Sequence, residues 1–392
     1  MNAPPPDPPA TEKPLSLMIV TGEVSGDMHA AAVLREARRL RPGLKAFGIG
    51  GDALRAAGMD VAVDVSEMSV MGITEVLRRL GFFRRVMRQM TDLAVRSRPD
   101  AVLLVDYPGF NLRFAARAHA AGLRVVYYIC PQVWAWQRSR IPRMAQIVDK
   151  LIAIFPFEPD HFRGTGLDAE FVGHPLVDEA EAALQRPRQE LPWRGAPRLA
   201  LLPGSRPHEI RRLLPVMLET AAHLRRAFPD LGILVAAPSD REAALAAQIE
   251  KDAPCEHGPV VCVAGKTREI LRQADAALVK SGTSTVEAAL MQCPMSIAYR
   301  VSPLTYLLGK MLVRVPHIGM ANIVAGRRVC PEFVQSDVRA EHMAAALRPL
   351  LEDTPQRQSM CHGLAGIRAA LGERGASARA AQALLRAMTA PA

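Results

Sequence analysis

Three clusters in this 392-residue chain carry residues of the kind that do chemistry. The first is Asp106, which ends the apolar run Ala101–Asp106 and precedes the turn Tyr107-Pro108-Gly109-Phe110-Asn111. A carboxylate at the end of a buried strand is a usual place for a general base, though it also serves to cap the next helix or hold the loop. The second is Lys280–Arg300, KSGTSTVEAALMQCPMSIAYR. Here the apolar run Ala276–Val279 reads as a buried strand, Ser281-Gly282-Thr283 as a turn and Ser284–Met291 as a helix capped by Thr283 or Ser284. Free N–H groups at such a helix start suit a phosphate or diphosphate. Glu287, one turn further in, would accept hydrogen bonds from two sugar hydroxyls, as a nucleotide sugar would require. The same pattern also fits an ordinary strand–helix turn with a solvated Glu. The third cluster is Pro203-Gly204-Ser205-Arg206, where two backbone amides and a guanidinium fork suit a phosphate. Arg206 equally suits a salt bridge to Glu209.

The elements that must position these clusters alternate. Leu15–Val20 reads as a strand running into Thr21-Gly22-Glu23-Val24-Ser25-Gly26-Asp27 and a helix to about Leu40. That opening is Gly-rich, but it is neither GxGxxG nor a P-loop. Glu23 and Ser25 would line a crevice at the strand's carboxyl end, or Ser25 or Asp27 would simply cap the helix. Further strand patterns fall at Ala46–Ile49, Val61–Val65, Leu123–Cys130 and Lys150–Phe155, with Glu170–Val172 closing the first half. Trp134 and Trp136, in the loop PQVWAW, would wall an acyl or sugar site or anchor the loop in the core. His174, before a proline, reads as structural. Gln185–Pro197 is polar and Pro-containing, and reads as a linker. The pattern then restarts at Leu199–Leu202 and continues through Gly232–Ala236, Val260–Ala264, Ala276–Val279 and Met295–Ala298. Asn322, in MANIVAG, would point an amide into the cleft.

Alternating βα units in both halves predict an α/β chain with two doubly wound, Rossmann-like domains. The expected boundaries are a disordered tail over 1–14, a first domain over 15–184, a linker over 185–197, a second domain over 198–352 and C-terminal helices over 353–392 that pack back on the first domain.

Hydrophobic residues make up 49% and charged residues 22%, as in ordinary globular chains. No apolar run approaches the 18 residues of a membrane-spanning helix, and the Pro-rich start lacks a signal core, which predicts a cytoplasmic protein. Six cysteines without ligand spacing predict free thiols and no metal site. The formal charge of +10 favours acidic partners. With 5% aromatic residues and no stacking platform, nucleic acid ranks last. Met71–Arg96 concentrates the charge. Ile73, Val76, Leu77, Leu80, Phe83, Met87 and Met90 share one helical side, and Arg78, Arg79, Arg84, Arg85 and Arg88 fill the other, with no acid between Glu75 and Asp92. That combination suits an anionic membrane surface, or a core helix with a solvated basic face.

Taken together, TGEVSGD (21–27), VMGITEVL (70–77), DYPGFN (106–111), PQVWAW (131–136), FPFE (155–158), GHPLVD (173–178), LLPGSR (201–206), SGTSTVEA (281–288), YR (299–300) and NIVAG (322–326) resemble the lipid-A-disaccharide synthases, inverting glycosyltransferases of the two-domain GT-B type. The matching segments cover most of residues 15–326, in order. The resemblance implies two domains facing a central cleft, and transfer of the sugar of UDP-2,3-diacylglucosamine to 2,3-diacylglucosamine 1-phosphate (lipid X). The products would be UDP and a β-1,6-linked disaccharide phosphate. It implies Asp106 as base and an acceptor near Glu23, Ser25, Asn111, Trp134 and Trp136. UDP would rest on Gly204, Ser205, Arg206, Ser281, Gly282, Thr283, Glu287 and Asn322, without metal or other cofactor. Gly109 stands where some members carry a second carboxylate. The acylated substrates place the chain on the cytoplasmic face of the inner membrane, with Val76, Leu77, Leu80, Phe82 and Phe83 as the contact. Some members pair through exchanged C-terminal segments, so a homodimer is a further expectation. Rival readings are another GT-B activity, such as a UDP-N-acetylglucosamine transferase or epimerase, and a non-catalytic membrane-surface protein. The first needs no acyl chains. The second predicts that Asp106→Ala changes nothing.

Overall fold

The computed structural model describes residues 14–68, 79–136, 138–253, 258–303, 306–307, 309 and 315–390, without the side chain of Trp136. Two parallel sheets carry the chain. The first contains β1 (Ser16–Thr21), β2 (Lys45–Gly50), β3 (Asp60–Asp64), β4 (Ala101–Val105), β5 (Val125–Tyr128), β6 (Lys150–Ala153) and β7 (Asp168–Phe171), in the order 3-2-1-4-5-6-7. The second contains β8 (Arg198–Leu202), β9 (Gly232–Ala237), β10 (Val260–Ala264), β11 (Ala276–Lys280), β12 (Met295–Tyr299) and β13 (Glu332–Val334), in the order 10-9-8-11-12-13. β1, β4, β5, β8, β9 and β11 read as unbroken apolar runs because helices cover both faces of each sheet.

Both orders reverse beside their first strand, between β1 and β4 and between β8 and β11. Loops leaving neighbouring strands at such a point diverge to opposite faces and open a crevice at the carboxyl ends. The sequence clusters at 21–27 and 106–111 leave one crevice, and those at 203–206 and 281–287 leave the other.

The helices around these crevices are α1 (Val24–Leu40), α2 (Leu80–Ser97), α3 (Pro108–Ala120), α4 (Ile141–Ile147), α5 (Pro175–Gln185), α6 (Pro207–Arg225), α7 (Thr267–Gln273) and α8 (Thr283–Leu290). Residues 186–197 follow α5 and lie along α7, where Trp193 Nε1 donates to Gln273 at 3.1 Å. Near the end of the chain α9 (Pro355–Ala370) packs on α8, whereas α10 (Ala376–Thr389) crosses back and packs on α1. Arg386 pairs with Glu170 of β7 at 2.8 Å, and Arg379 donates to the Val172 carbonyl. The small buried residues Ala380, Ala381 and Ala383 let α10 lie close against α1.

The basic helix divides the two meanings its pattern left open. Val86, Met87, Met90 and Ala94 of α2 are buried in the first domain's core, so this part of the stripe is ordinary packing. Leu80, at the other end, is 42% exposed. Gly81 lies inside α2 and does not interrupt it. Val76 and Leu77 lie outside the described residues.

Candidate active site

At the carboxyl end of β4 the backbone does something unusual. Asp106 and Tyr107 both adopt left-handed φ, 48° and 49°, although neither is glycine. Such strain persists only where neighbours over-determine it. Here the Asp106 carbonyl accepts from Tyr127 Oη at 2.6 Å and from Asn111 Nδ2 at 2.7 Å. Asn111 also donates to the Val105 carbonyl at 3.2 Å, tying the first turn of α3 to β4. The Tyr107 ring lies over Gly22, where a Cβ would stand 2.1 Å from the ring, and its hydroxyl donates to the Met68 carbonyl. The backbone of Asp106 is thereby clamped from several sides, with its carboxylate within electrostatic range of Glu23.

That placement tunes the carboxylate. Burial, helped by the neighbouring charge of Glu23, lifts Asp106 from its ordinary 3.8 to about 6, and the N–H of Tyr107 lowers it only in part. A base performs best with a pKa near the working pH. Glu23 and Ser25 are exposed at the start of α1, where Glu23 is the N-cap residue without a side-chain cap bond. Neither Ser25 nor Asp27 caps α1. Asp27 instead turns inward and accepts from the amides of Gly51 and Ala53.

Three expected cleft residues are structural. Asn111 is fully buried and spends its amide on the clamp. Trp134 is 2% exposed, donates from Nε1 to Glu158 at 3.3 Å and stacks on His161, so it anchors its loop instead of walling a pocket. Glu158 also accepts from the amides of Ile154 and Phe155, and burial lifts it to about 8. Asn322 is fully buried: it donates to the Cys330 carbonyl and to Glu332 Oε1, and it accepts from the amides of Val329 and Cys330. Each has a polar group in a motif segment that a buried strut explains as well as a ligand does. His174 is buried and lowered to about 3, first by burial, and its Nδ1 accepts from the Leu176 amide at the start of α5.

In the second crevice Gly282, not Thr283 or Ser284, is the N-cap residue of α8, and no side chain caps that helix. Gly282 has φ 154°, and the atom nearest to an added Cβ would be Lys280 Nζ at 3.5 Å, so the approach to the helix start is open. The Ser281 hydroxyl turns away to donate to the Ile318 carbonyl. Thr283 is exposed. Gly204 has φ 122°, which lets the loop pass over Glu209. The amides of Ser205 and Arg206 are not empty: Glu209 Oε2 accepts both, at 3.1 and 3.3 Å. Glu209 Oε1 pairs with Lys280 Nζ at 2.8 Å, so its salt-bridge partner is Lys280 and not Arg206. Burial would raise Glu209, but Lys280 and the two amides hold it below the usual carboxylate range. Arg206 itself is exposed.

The crevices are joined by groups whose pairing no sequence pattern announces. Arg268 of α7 pairs with Glu179 of α5 and, through Nε at 3.3 Å, with Glu287 of α8. Burial lifts the Glu287 carboxyl, Arg268 opposes that lift, and Glu179 adds to it. His29 of α1 lies within range of the same group: burial lowers it, Glu179 raises it and Arg268 lowers it further. Lys280 had a signal, a cation at the end of a buried strand beside SGT. Arg268 had none, because its partners lie 89 and 19 residues away along the chain. Among the described residues no group of three His, Cys, Asp or Glu side chains converges as metal ligands would.

A family profile described as lipid-A-disaccharide synthetase matches residues 17–386. The chain belongs to that family. Its similarity to curated members is high throughout. The lipid-A-disaccharide synthase of Anaeromyxobacter dehalogenans strain 2CP-C is 44% identical over 372 residues, covering 94% of this chain and 96% of that one. The Geobacter sulfurreducens synthase is 41% identical over the same length and coverage. Solved structures confirm the architecture of this synthase-family chain. A kitacinnamycin glycotransferase aligns with TM-score 0.66 at 16% identity, covering 96% of this chain and all of the other. The UDP-GlcNAc 2-epimerase of Neisseria meningitidis, solved with UDP-GlcNAc, aligns with TM-score 0.62 at 10% identity over 95% of this chain. At those identities the likeness concerns the GT-B fold alone.

Proposed function

We propose that the chain joins the sugar of UDP-2,3-diacylglucosamine to the 6-hydroxyl of 2,3-diacylglucosamine 1-phosphate, giving UDP and a β-1,6-linked lipid A disaccharide 1-phosphate. The observation that carries the residue roles is the clamped, buried Asp106 at one switch point together with the uncapped helix start at the other. In the reaction the Asp106 carboxylate takes the proton of the acceptor hydroxyl. The oxygen attacks the anomeric carbon from the face opposite the leaving group, the bond from that carbon to the phosphate oxygen breaks, and configuration inverts. UDP leaves with the bonding pair. Its charge meets the N–H groups of α8, Lys280 and Arg206, which are preorganised where charge develops. Glu287, held by Arg268, faces the ribose hydroxyls. Glu23 and Ser25 border the acceptor side.

No helix among the described residues is long and apolar enough to cross a membrane. We infer peripheral attachment to an anionic inner-leaflet surface through Leu80, Phe82 and Phe83, with the exposed Arg84, Arg85 and Arg88 beside them. Serine at those three apolar positions should move the protein from the membrane to the soluble fraction.

The deciding experiment incubates purified protein with both lipid substrates and identifies the product by mass. A disaccharide phosphate with stoichiometric UDP is expected, together with at least about a hundredfold loss of turnover in Asp106→Ala and retained UDP binding. UDP release from a deacylated donor at an equal rate would instead favour a different GT-B activity.

A further inference from the structure

Two grooves flank the first turn of α3, the helix into which Asp106 leads. The larger, about 710 Å³, runs between α2 and α3 over Phe83, Met87 and Phe110, with Arg84, Arg88 and Arg117 along its edge. The smaller, about 320 Å³, runs between α3 and α4 over Leu112, Met144 and Ile147, with Arg140 and Arg143 along its edge. Gly109 and Arg113 line both. No carboxylate lines either groove among the described residues. Each is of the size that buries most of a small ligand, about 300–1,000 Å³.

Gly109 separates the grooves as a low saddle. A Cβ there would meet nothing within 4 Å, and its φ lies outside the left-handed region that favours glycine. Neither crowding nor backbone conformation therefore requires glycine at this position, and a side chain would project into the shared space. Arg113 is already turned toward the saddle, donating to the Gly109 carbonyl at 3.0 Å.

We propose that the two grooves hold the two acyl chains of the phosphorylated acceptor, one on each side of Gly109, with the arginine edge receiving its phosphate. The inference rests on the glycosyl-transfer reading and adds a binding site for its second substrate. Paired apolar troughs match a molecule with two adjacent chains, and an edge of cations without acids matches one that is anionic. The location fits as well. Gly109 lies in the first turn of the helix that begins two residues after Asp106, so chains seated there would hold the sugar ring near the base.

The test uses the full-length protein and dioctanoylglycerol 3-phosphate, kept below its micelle concentration, as a soluble two-chain anionic probe read by calorimetry. Gly109→Trp, which fills the saddle without demanding an unusual backbone, should raise its Kd at least tenfold. It should leave UDP affinity and binding to anionic vesicles as in the parent, and raise KM for the acylated acceptor. Gly109→Ala, too small to fill the saddle, should bind the probe nearly as the parent does. An unchanged probe Kd in a folded Gly109→Trp protein overturns the assignment, as does an equal loss of vesicle binding, which would make the grooves a membrane dock. If the parent forms no disaccharide yet binds the probe in a Gly109-dependent way, the grooves stand and the reaction falls.

Discussion

Asp106 is buried, while the role of base proposed for it requires it to carry charge, and these demands oppose each other. Its folded pKa of about 6 lies above the ordinary 3.8, so the protonated form is the one the fold favours. The resulting stabilisation is complete below about pH 3.8 and is lost as pH rises through about 6. At pH 8 the buried carboxylate costs up to about 3 kcal/mol, taking 1.36 kcal/mol per unit. Asp106→Asn should therefore raise Tm at pH 8 while lowering turnover at least about a hundredfold, and the gain in Tm should vanish below pH 4. Calorimetry and UDP release on the same preparations check both. In the parent, kcat/KM should climb with pH and reach half its plateau near 6. At this scale the sequence was ambiguous where a polar residue in a motif had two equally good uses. Asn111, Asn322 and Trp134 look like ligands in a string of letters; burial makes them struts.

The loops after β1, β4, β8 and β11 do the positioning, and each depends on one or two contacts. Gly22→Ala would press a methyl into the Tyr107 ring, which must move to relieve a 2.1 Å contact. The expected cost is about 1–3 kcal/mol of stability with a fall in turnover, since Tyr107 adjoins Asp106, the proposed base. Denaturation midpoints and kcat measure the two. In the opposite crevice Lys280→Met removes a cation now shared with Glu209. UDP should bind ten- to a hundredfold more weakly by calorimetry, the scale of a charge-assisted hydrogen bond of about 1.5–3 kcal/mol. Unchanged affinity would reduce Lys280 to a prop for Glu209. The strand–loop–helix units were legible because apolar runs, glycines and caps recur at short range. β13, three residues long, was too short to show any period. The Arg268 bridges were invisible because they join helices separated along the chain, with no local spacing to mark them.

The double-domain architecture followed from counting βα repeats; the strand orders did not, since order depends on where each helix crosses. The final helix shows this dependence most clearly. α10 belongs by position to the second half and by packing to the first, where Ala380, Ala381, Ala383 and Leu384 are completely buried. Removing residues 372–392 should lower the urea midpoint of the first half while UDP still binds the second. A two-step melt followed by tryptophan fluorescence and calorimetry would show it; an unaltered single transition would sink the idea. Contacts made by α10 within one chain are also those two copies would exchange in a swapped pair, so light scattering at rising concentration tests pairing without any new surface.

The return of α10 has a consequence for biosynthesis. The amino-terminal half emerges from the ribosome long before the segment that completes its hydrophobic interior has been translated. Until then α1 presents a bare strip of apolar surface, and the crevice beside Asp106 rests on an unfinished scaffold. Completion of that half must therefore wait until α10 has emerged, and nascent chains stalled before α10 should be the ones that recruit chaperones.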